Sequence, residues 1–115
     1  MDAIAVWDLV KVPFPYADQP VHEHRPALVI ACPQGHDRFA VLWVLMVTSA
    51  ANRGWPGDVP VSAHAEAGLP VASVVRTEKI ATIDRRVVQR IGRLPAADQA
   101  NVVVKLHQTL AGASL

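Results

Sequence analysis

Nine consecutive apolar residues, Phe39 to Val47, constrain the fold of this chain more than any other segment. Read with a period of two, Phe39, Val41, Trp43, Leu45 and Val47 share one face and Ala40, Leu42, Val44 and Met46 the other. A strand apolar on both faces must be central in a sheet or buried in a subunit interface. The run is far short of the roughly 20 residues that a membrane-spanning helix needs. No membrane association is therefore expected.

Shorter segments supply the neighbours of this strand. Val6, Asp8, Val10 and Val12 alternate with Trp7, Leu9 and Lys11, which predicts a first strand ending at Pro13 and Pro15. After a loop from Tyr16 to His24, Pro26 to Cys32 reads as a second strand, with Pro26 acceptable at its first position or on an edge. The turn Pro33-Gln-Gly-His-Asp37 leads into the long apolar strand. Asp58 to Ser62, Ser73 to Thr77, Lys79 to Thr82 and a strand ending near Leu94 complete the extended set. Asp84 can cap a single helical turn through Val88.

Pro95 opens a terminal helix, where its missing N–H costs nothing, and Asp98 sits near the positive end of the helix dipole. Val102 or Val103, Leu106 and Leu110 recur at helical spacing, and Gly112 ends the helix. The expectation is one domain over residues 1–115, mainly β (α+β). It is a small, strongly curved antiparallel sheet, closed or nearly closed into a barrel, with one packed helix.

Charge and cysteine content narrow the chemistry. With 11 Lys and Arg against 10 Asp and Glu, the formal charge is only +1, weaker than the usual footprint of a nucleic-acid binder. Any such contact has to rest on local arginines. Arg85, Arg86, Arg90 and Arg93 form one such group, which reads equally well as a solvated basic face. Cys32 is the single cysteine, so neither an intrachain disulfide nor a cysteine-based zinc site within one chain can form. The start of the chain carries Asp2 and Asp8 and has no signal-peptide pattern, so the cytoplasm is the expected compartment.

At the mouth of the second strand the sequence reads His22-Glu-His-Arg-Pro26. A guanidinium held there can engage a phosphate through two parallel hydrogen bonds. If the hairpin turns at Gly35, Arg25 lies opposite about Leu45, and Thr48 stands about three residues, or ~10 Å, beyond. Both then occupy one end of the sheet, flanked by the loops Tyr16–His24 and Ser49–Gly57. An anion site is one reading; polar residues that merely finish a sheet are the other.

Five segments occur in the order seen in MazF/PemK-type toxins. They are Asp8-Leu-Val-Lys-Val-Pro-Phe-Pro15, His24-Arg-Pro-Ala-Leu-Val-Ile30, Val47-Thr-Ser49, Pro56-Gly-Asp-Val-Pro60 and Ser73-Val-Val-Arg-Thr-Glu-Lys-Ile-Ala-Thr-Ile-Asp84. Ile91-Gly-Arg-Leu94 follows before the last helix, and the chain resembles that family almost end to end. The resemblance implies an SH3-like barrel, of the fold shared with CcdB, that forms a homodimer. It also implies a metal-independent, cofactor-free, sequence-selective endoribonuclease, bound by a separate antitoxin whose disordered tail covers the RNA groove.

Carried over residue by residue, the resemblance makes Arg25 and Thr48 catalytic, and it offers Arg76 and Glu78 as a second pair, with Glu78 a candidate general base. Their i, i+2 spacing predicts one shared face, and a cross-strand ion pair is the structural alternative. For Thr48 the alternative is a strand-end residue that caps a loop. His22, His24, Ser49, Arg53 and Trp55 become candidate RNA contacts. Trp55 would stack on a base or pack against a neighbouring loop or the antitoxin.

Two departures stand out. Trp7 occupies a position that is usually glycine, and His22-Glu23-His24 replaces small and basic residues. The histidines line a substrate loop, act as acid and base, or, least favoured because spacing supplies no third ligand, bind a metal. A gyrase poison of the CcdB type and a non-catalytic binding barrel are the other function classes. Arg25, Thr48 and the non-aromatic ending Gly112-Ala-Ser-Leu115 argue against the first.

Overall fold

The computed structural model describes residues 3–14, 20, 23–33 and 40–113. The apolar runs become strands β1 (Asp8–Phe14), β2 (Glu23–Ala31), β3 (Val41–Ser49), β4 (Asp58–Pro60), β5 (Ser73–Asp84) and β6 (Gln89–Arg93), followed by helix α1 (Ala96–Gly112). They form one antiparallel sheet in the order β4-β5-β3-β2-β1-β6.

β3 is central, as its two apolar faces require. Leu45 and Val47 enter a core with Leu9, Leu28, Val59, Val75 and Leu94. Leu42, Val44 and Met46 enter a second, on the opposite face, with Val10, Val12, Val29 and Ile83. Val41 is only partly buried and Trp43 stays half-exposed.

Among the described residues β4 and β6 are the edges, and strand pairing does not close the sheet. The segment after β4 bridges the gap, with Ala67 and Leu69 buried in the first core. There the backbone of Ala67–Gly68 lies directly against Ile91–Gly92. A Cβ added to Gly92 would stand 1.8 Å from the Ala67 carbonyl oxygen, and one added to Gly68, whose φ is +88°, 2.1 Å from that of Ile91. Only glycines permit this approach.

α1 packs on β4 and β5. Val102 is fully buried and Leu106 packs beside it, while Val103 and Leu110 remain partly exposed. Asp98 anchors the helix start by accepting from the backbone N–H and the hydroxyl of Ser62, at 2.9 and 3.0 Å.

Three differences from the expected elements have physical causes. β1 runs through Pro13, because β6 pairs only Asp8 to Lys11 and beyond that point β1 has a single neighbour. The two segments expected at 73–77 and 79–82 are one strand with an irregularity between them. Asp84 caps a 3-10 turn, Arg85–Val87, by accepting from the Arg86 N–H at 2.9 Å.

Trp7 has φ +78°, a left-handed conformation that L residues with large side chains rarely adopt. Its N–H donates to the Val29 carbonyl at 2.8 Å and its own carbonyl accepts from Leu94 at 2.9 Å. These two bonds tie the start of β1 to both neighbouring segments, and the positive φ explains why glycine suits the position. Next to it Asp8 is buried and ion-paired with Arg90 and Arg93, at 3.2 and 3.3 Å. Half of the basic cluster is thereby engaged in holding the sheet edge.

Candidate active site

The β2–β3 register sets the geometry. Ala27 pairs with Met46 and Leu28 with Leu45. Extended two residues, the same register puts Arg25 directly opposite Thr48, both within their strands. The expected offset of three residues is thus corrected to none. A one-residue bulge falls between Val29 and Ala31; the expected turn at residues 33–37 lies almost wholly outside the described residues.

Arg25 and Thr48 line a groove of about 490 Å³ together with Glu23, Ser49, Asn52, Arg76 and Lys79. That volume lies within the range of small-ligand sites. The Arg25 Nε donates to Glu23 Oε1 at 2.6 Å, and the guanidinium stacks on the Phe14 ring at 3.8 Å. Thr48 accepts from Asn52 Nδ2 at 3.2 Å, which leaves its own hydroxyl proton available to donate. Ser49 instead caps the following 3-10 turn, its Oγ accepting from Ala51 at 3.2 Å. The loop-capping role weighed for Thr48 therefore belongs to Ser49.

Arg76 is held in a different way. Its Nε and Nη2 donate to the two carboxylate oxygens of Asp58, at 2.9 and 3.0 Å, and Nη2 also donates to the Asn52 carbonyl at 2.8 Å. Trp55 covers the guanidinium at 4.1 Å. The Arg76 hydrogen bond holds the Asp58 carboxyl below its usual range; burial opposes this, and N–H donation from Trp55 and Gly54 assists. Asp58 in turn raises the Arg76 pKa.

Arg76 and Glu78 do not share a face, contrary to the expectation from their spacing. Leu45 pairs with Ile80 and Met46 with Arg76, so residues 77–79 bulge out of the ladder. The bulge brings Lys79 into the groove beside Arg76. Glu78 turns to a separate cleft with Lys105 and Thr109, where its Oε1 accepts from the Gly57 N–H at 2.9 Å. The cross-strand ion pair exists, but the partner of Arg76 is Asp58.

The remaining candidates divide. Trp55 is half-exposed above Arg76. Arg53 folds back to donate to the Ala50 carbonyl at 3.0 Å on the exposed loop beside the groove. His24 pairs with Pro13 on the face opposite Arg25 and does not line the groove. His22 lies outside the described residues. Among the described residues no group of three His, Cys, Asp or Glu side chains is arranged to hold a metal.

Glu23, Asn52, Asp58 and Lys79 were missed by sequence reasoning. Asp58 had a usable signal, as the acidic residue of the quoted Pro56-Gly-Asp-Val-Pro60 segment.

The model of PemK-like, MazF-like toxins of type II toxin-antitoxin systems matches residues 5–110. The chain belongs to this family. It is 30% identical to MazF of Deinococcus radiodurans (Form-I crystal structure), covering 96% of this chain and 99% of that one with a TM-score of 0.69. It is 27% identical to a chain of the MazE-MazF complex (Form-II) from the same organism, covering 95% and 97% with a TM-score of 0.68. An endoribonuclease in complex with its cognate antitoxin from a mycobacterial species shares the fold at 15% identity, with 95% and 96% covered and a TM-score of 0.70. No curated protein sequence matches. The toxin thus has the architecture its five ordered segments imply.

Proposed function

We propose that this toxin is a sequence-selective endoribonuclease acting on single-stranded RNA, with Arg25 and Thr48 as its catalytic pair. The observation that carries this reading is the shared groove: an exposed guanidinium and a hydroxyl that keeps its own proton line it together at the end of the sheet.

RNA contains its own nucleophile. Attack by the ribose 2′-OH on the adjacent phosphate needs orientation, proton transfer and stabilisation of charge on the phosphorane, not a metal-activated water. This supports a metal-independent, cofactor-free reaction. Arg25 donates to two non-bridging oxygens as charge grows on them, and Thr48 donates to one. Lys79 attracts the neighbouring phosphate. Arg76, neutralised by Asp58, serves as a positioning residue that holds the loop bearing Asn52 and Trp55. The half-exposed Trp55 ring offers a base a stacking surface, and Ser49 and Arg53 flank the path of the strand from the loop beside the groove.

The family and the solved relatives that are a MazE-MazF complex and a complex with a cognate antitoxin support an antitoxin partner. A cognate antitoxin covers the groove of a cytoplasmic homodimer. The test is incubation of the purified protein with a long mixed-sequence RNA in EDTA, with the product ends mapped. The expected products carry 2′,3′-cyclic phosphate and are lost with Arg25→Ala and Thr48→Ala. An RNA left intact by the wild-type protein overturns the reading.

A further inference from the structure

We infer that Glu23 is the general base of the cleavage reaction, a role that rests on the ribonuclease reading and completes it. The reaction needs an acceptor for the 2′-OH proton, and the groove restricts the choice. Among the described residues Glu23 is the one carboxylate that lines it. Asp58 is committed to Arg76 and to the N–H groups of Gly54 and Trp55. Glu78 is turned into the other cleft by the β5 bulge.

Two-residue periodicity on β2 puts Glu23 and Arg25 on one face and His24 on the other. The charged groups that line the groove with Glu23 are Arg25 from its own strand and Arg76 and Lys79 from β5. The Glu23 side chain uses Oε1 to accept from Arg25, and no hydrogen bond among the described residues engages Oε2. Arg25 in turn meets Glu23 along its Nε edge, at 2.6 Å, and no hydrogen bond among the described residues engages its Nη1. One planar guanidinium can thus hold the base on one edge and a phosphate on the other. A 2′-oxygen poised for attack lies about 3–3.5 Å from the phosphorus, and so falls beside Glu23.

In the step itself the Glu23 carboxylate takes the 2′-OH proton while the O2′–P bond forms. The P–O5′ bond breaks, and the leaving oxygen takes a proton from water. The products are a 2′,3′-cyclic phosphate and a 5′-hydroxyl, and Glu23 returns its proton to solvent.

The experiment compares wild type, Glu23→Gln and Glu23→Asp in initial cleavage rate on mixed-sequence RNA across pH, and in binding to a fully 2′-O-methylated RNA that cannot be cut. A general base contributes roughly 10²–10⁴-fold. Glu23→Gln should therefore lower kcat at least about 100-fold, bind the methylated RNA as tightly as wild type or more so, and lose the fall in rate on acidification. Glu23→Asp should retain that fall and part of the rate. Cleavage by Glu23→Gln within threefold of wild type overturns the assignment. So does an acidic limb that survives in Glu23→Gln but vanishes in the double variant His22→Asn, His24→Asn. If wild type itself leaves RNA intact, the parent reading fails; the base assignment fails separately when wild type cuts and Glu23→Gln cuts equally well.

Discussion

Arg25 and Arg76 enter the same groove from β2 and β5, and they are held in opposite ways. The Arg25–Glu23 side chains are 42% and 50% exposed; those of Arg76–Asp58 are 11% and 7%. Arg76 meets its carboxylate through two bonds, donates a third to a backbone carbonyl and is capped by an indole. Among the described residues Arg25 bonds one exposed carboxylate, Glu23, and rests on the Phe14 ring. An exposed ion pair is worth about 0–1 kcal/mol and exchanges partners readily, whereas a desolvated bidentate pair resists exchange. Two arginines of one groove therefore divide the work: one can transfer its donors to an incoming phosphate, and the other fixes the wall.

The division is broken most directly by Arg25→Ala. Loss of a donor aimed at developing charge typically costs 10²–10³-fold, so kcat/KM for RNA cleavage should fall by about 10³-fold. The unfolding midpoint should stay within a degree or two, since the lost pair is exposed. A variant that unfolds early would show that Arg25 is structural after all.

Arg76→Ala should show the reverse emphasis. Removing one partner of a desolvated pair leaves Asp58 uncompensated, and urea unfolding should report a loss of about 2–3 kcal/mol. Hydrogen exchange should accelerate in residues 50–58, the segment that Arg76 ties down. Arg76→Lys should recover only part of the stability, because an ammonium cannot reproduce the planar fork.

Acid sharpens the contrast further. Asp58 has a folded pKa lowered mainly by the Arg76 hydrogen bond. Its stabilisation is therefore complete above the unfolded aspartate value near 3.9, and it is lost as pH falls through the lower folded value. Asp84 behaves with the same sign, since the Arg86 hydrogen bond lowers it to about 2. Urea midpoints should fall between about pH 4 and pH 2, and Asp58→Asn should flatten the part of that slope that belongs to the Arg76 pair. An unchanged slope would mean that the pair contributes nothing to folding.

What could be read from the sequence follows the same physics. Period-two and helical patterns identified the central β3, the terminal helix and the residues at the sheet mouth, because burial of a whole face leaves a periodic trace. Register leaves none. The β2–β3 register that brings Arg25 to the same end of the sheet as Thr48 depends on a bulge after Val29, and the separation of Glu78 from Arg76 depends on a bulge inside an apparently regular strand. Asp58 was not recognised as the partner of Arg76 because it arrives from β4, 18 residues away. The irregularities that escape pattern reading are the ones that aim side chains into the groove.

Glu78→Gln should have the smallest effect and tests the bulge itself. Thr77 donates both its N–H and its hydroxyl to the Gly57 carbonyl, at 3.1 and 2.7 Å, and Glu78 accepts from the Gly57 N–H at 2.9 Å. Gly57 fits so closely that a Cβ there would stand 2.4 Å from the Thr77 hydroxyl. The bulge is thus clamped from two sides, and a glutamine keeps an oxygen for the same N–H. Only the charge assistance of one half-exposed bond is lost, so urea unfolding should register less than about 1 kcal/mol. Cleavage should stay within threefold of wild type, with the acidic limb of the pH profile intact. A large loss of rate with unchanged stability would return Glu78 to the chemistry, and would require residues 77–79 to repack when RNA binds.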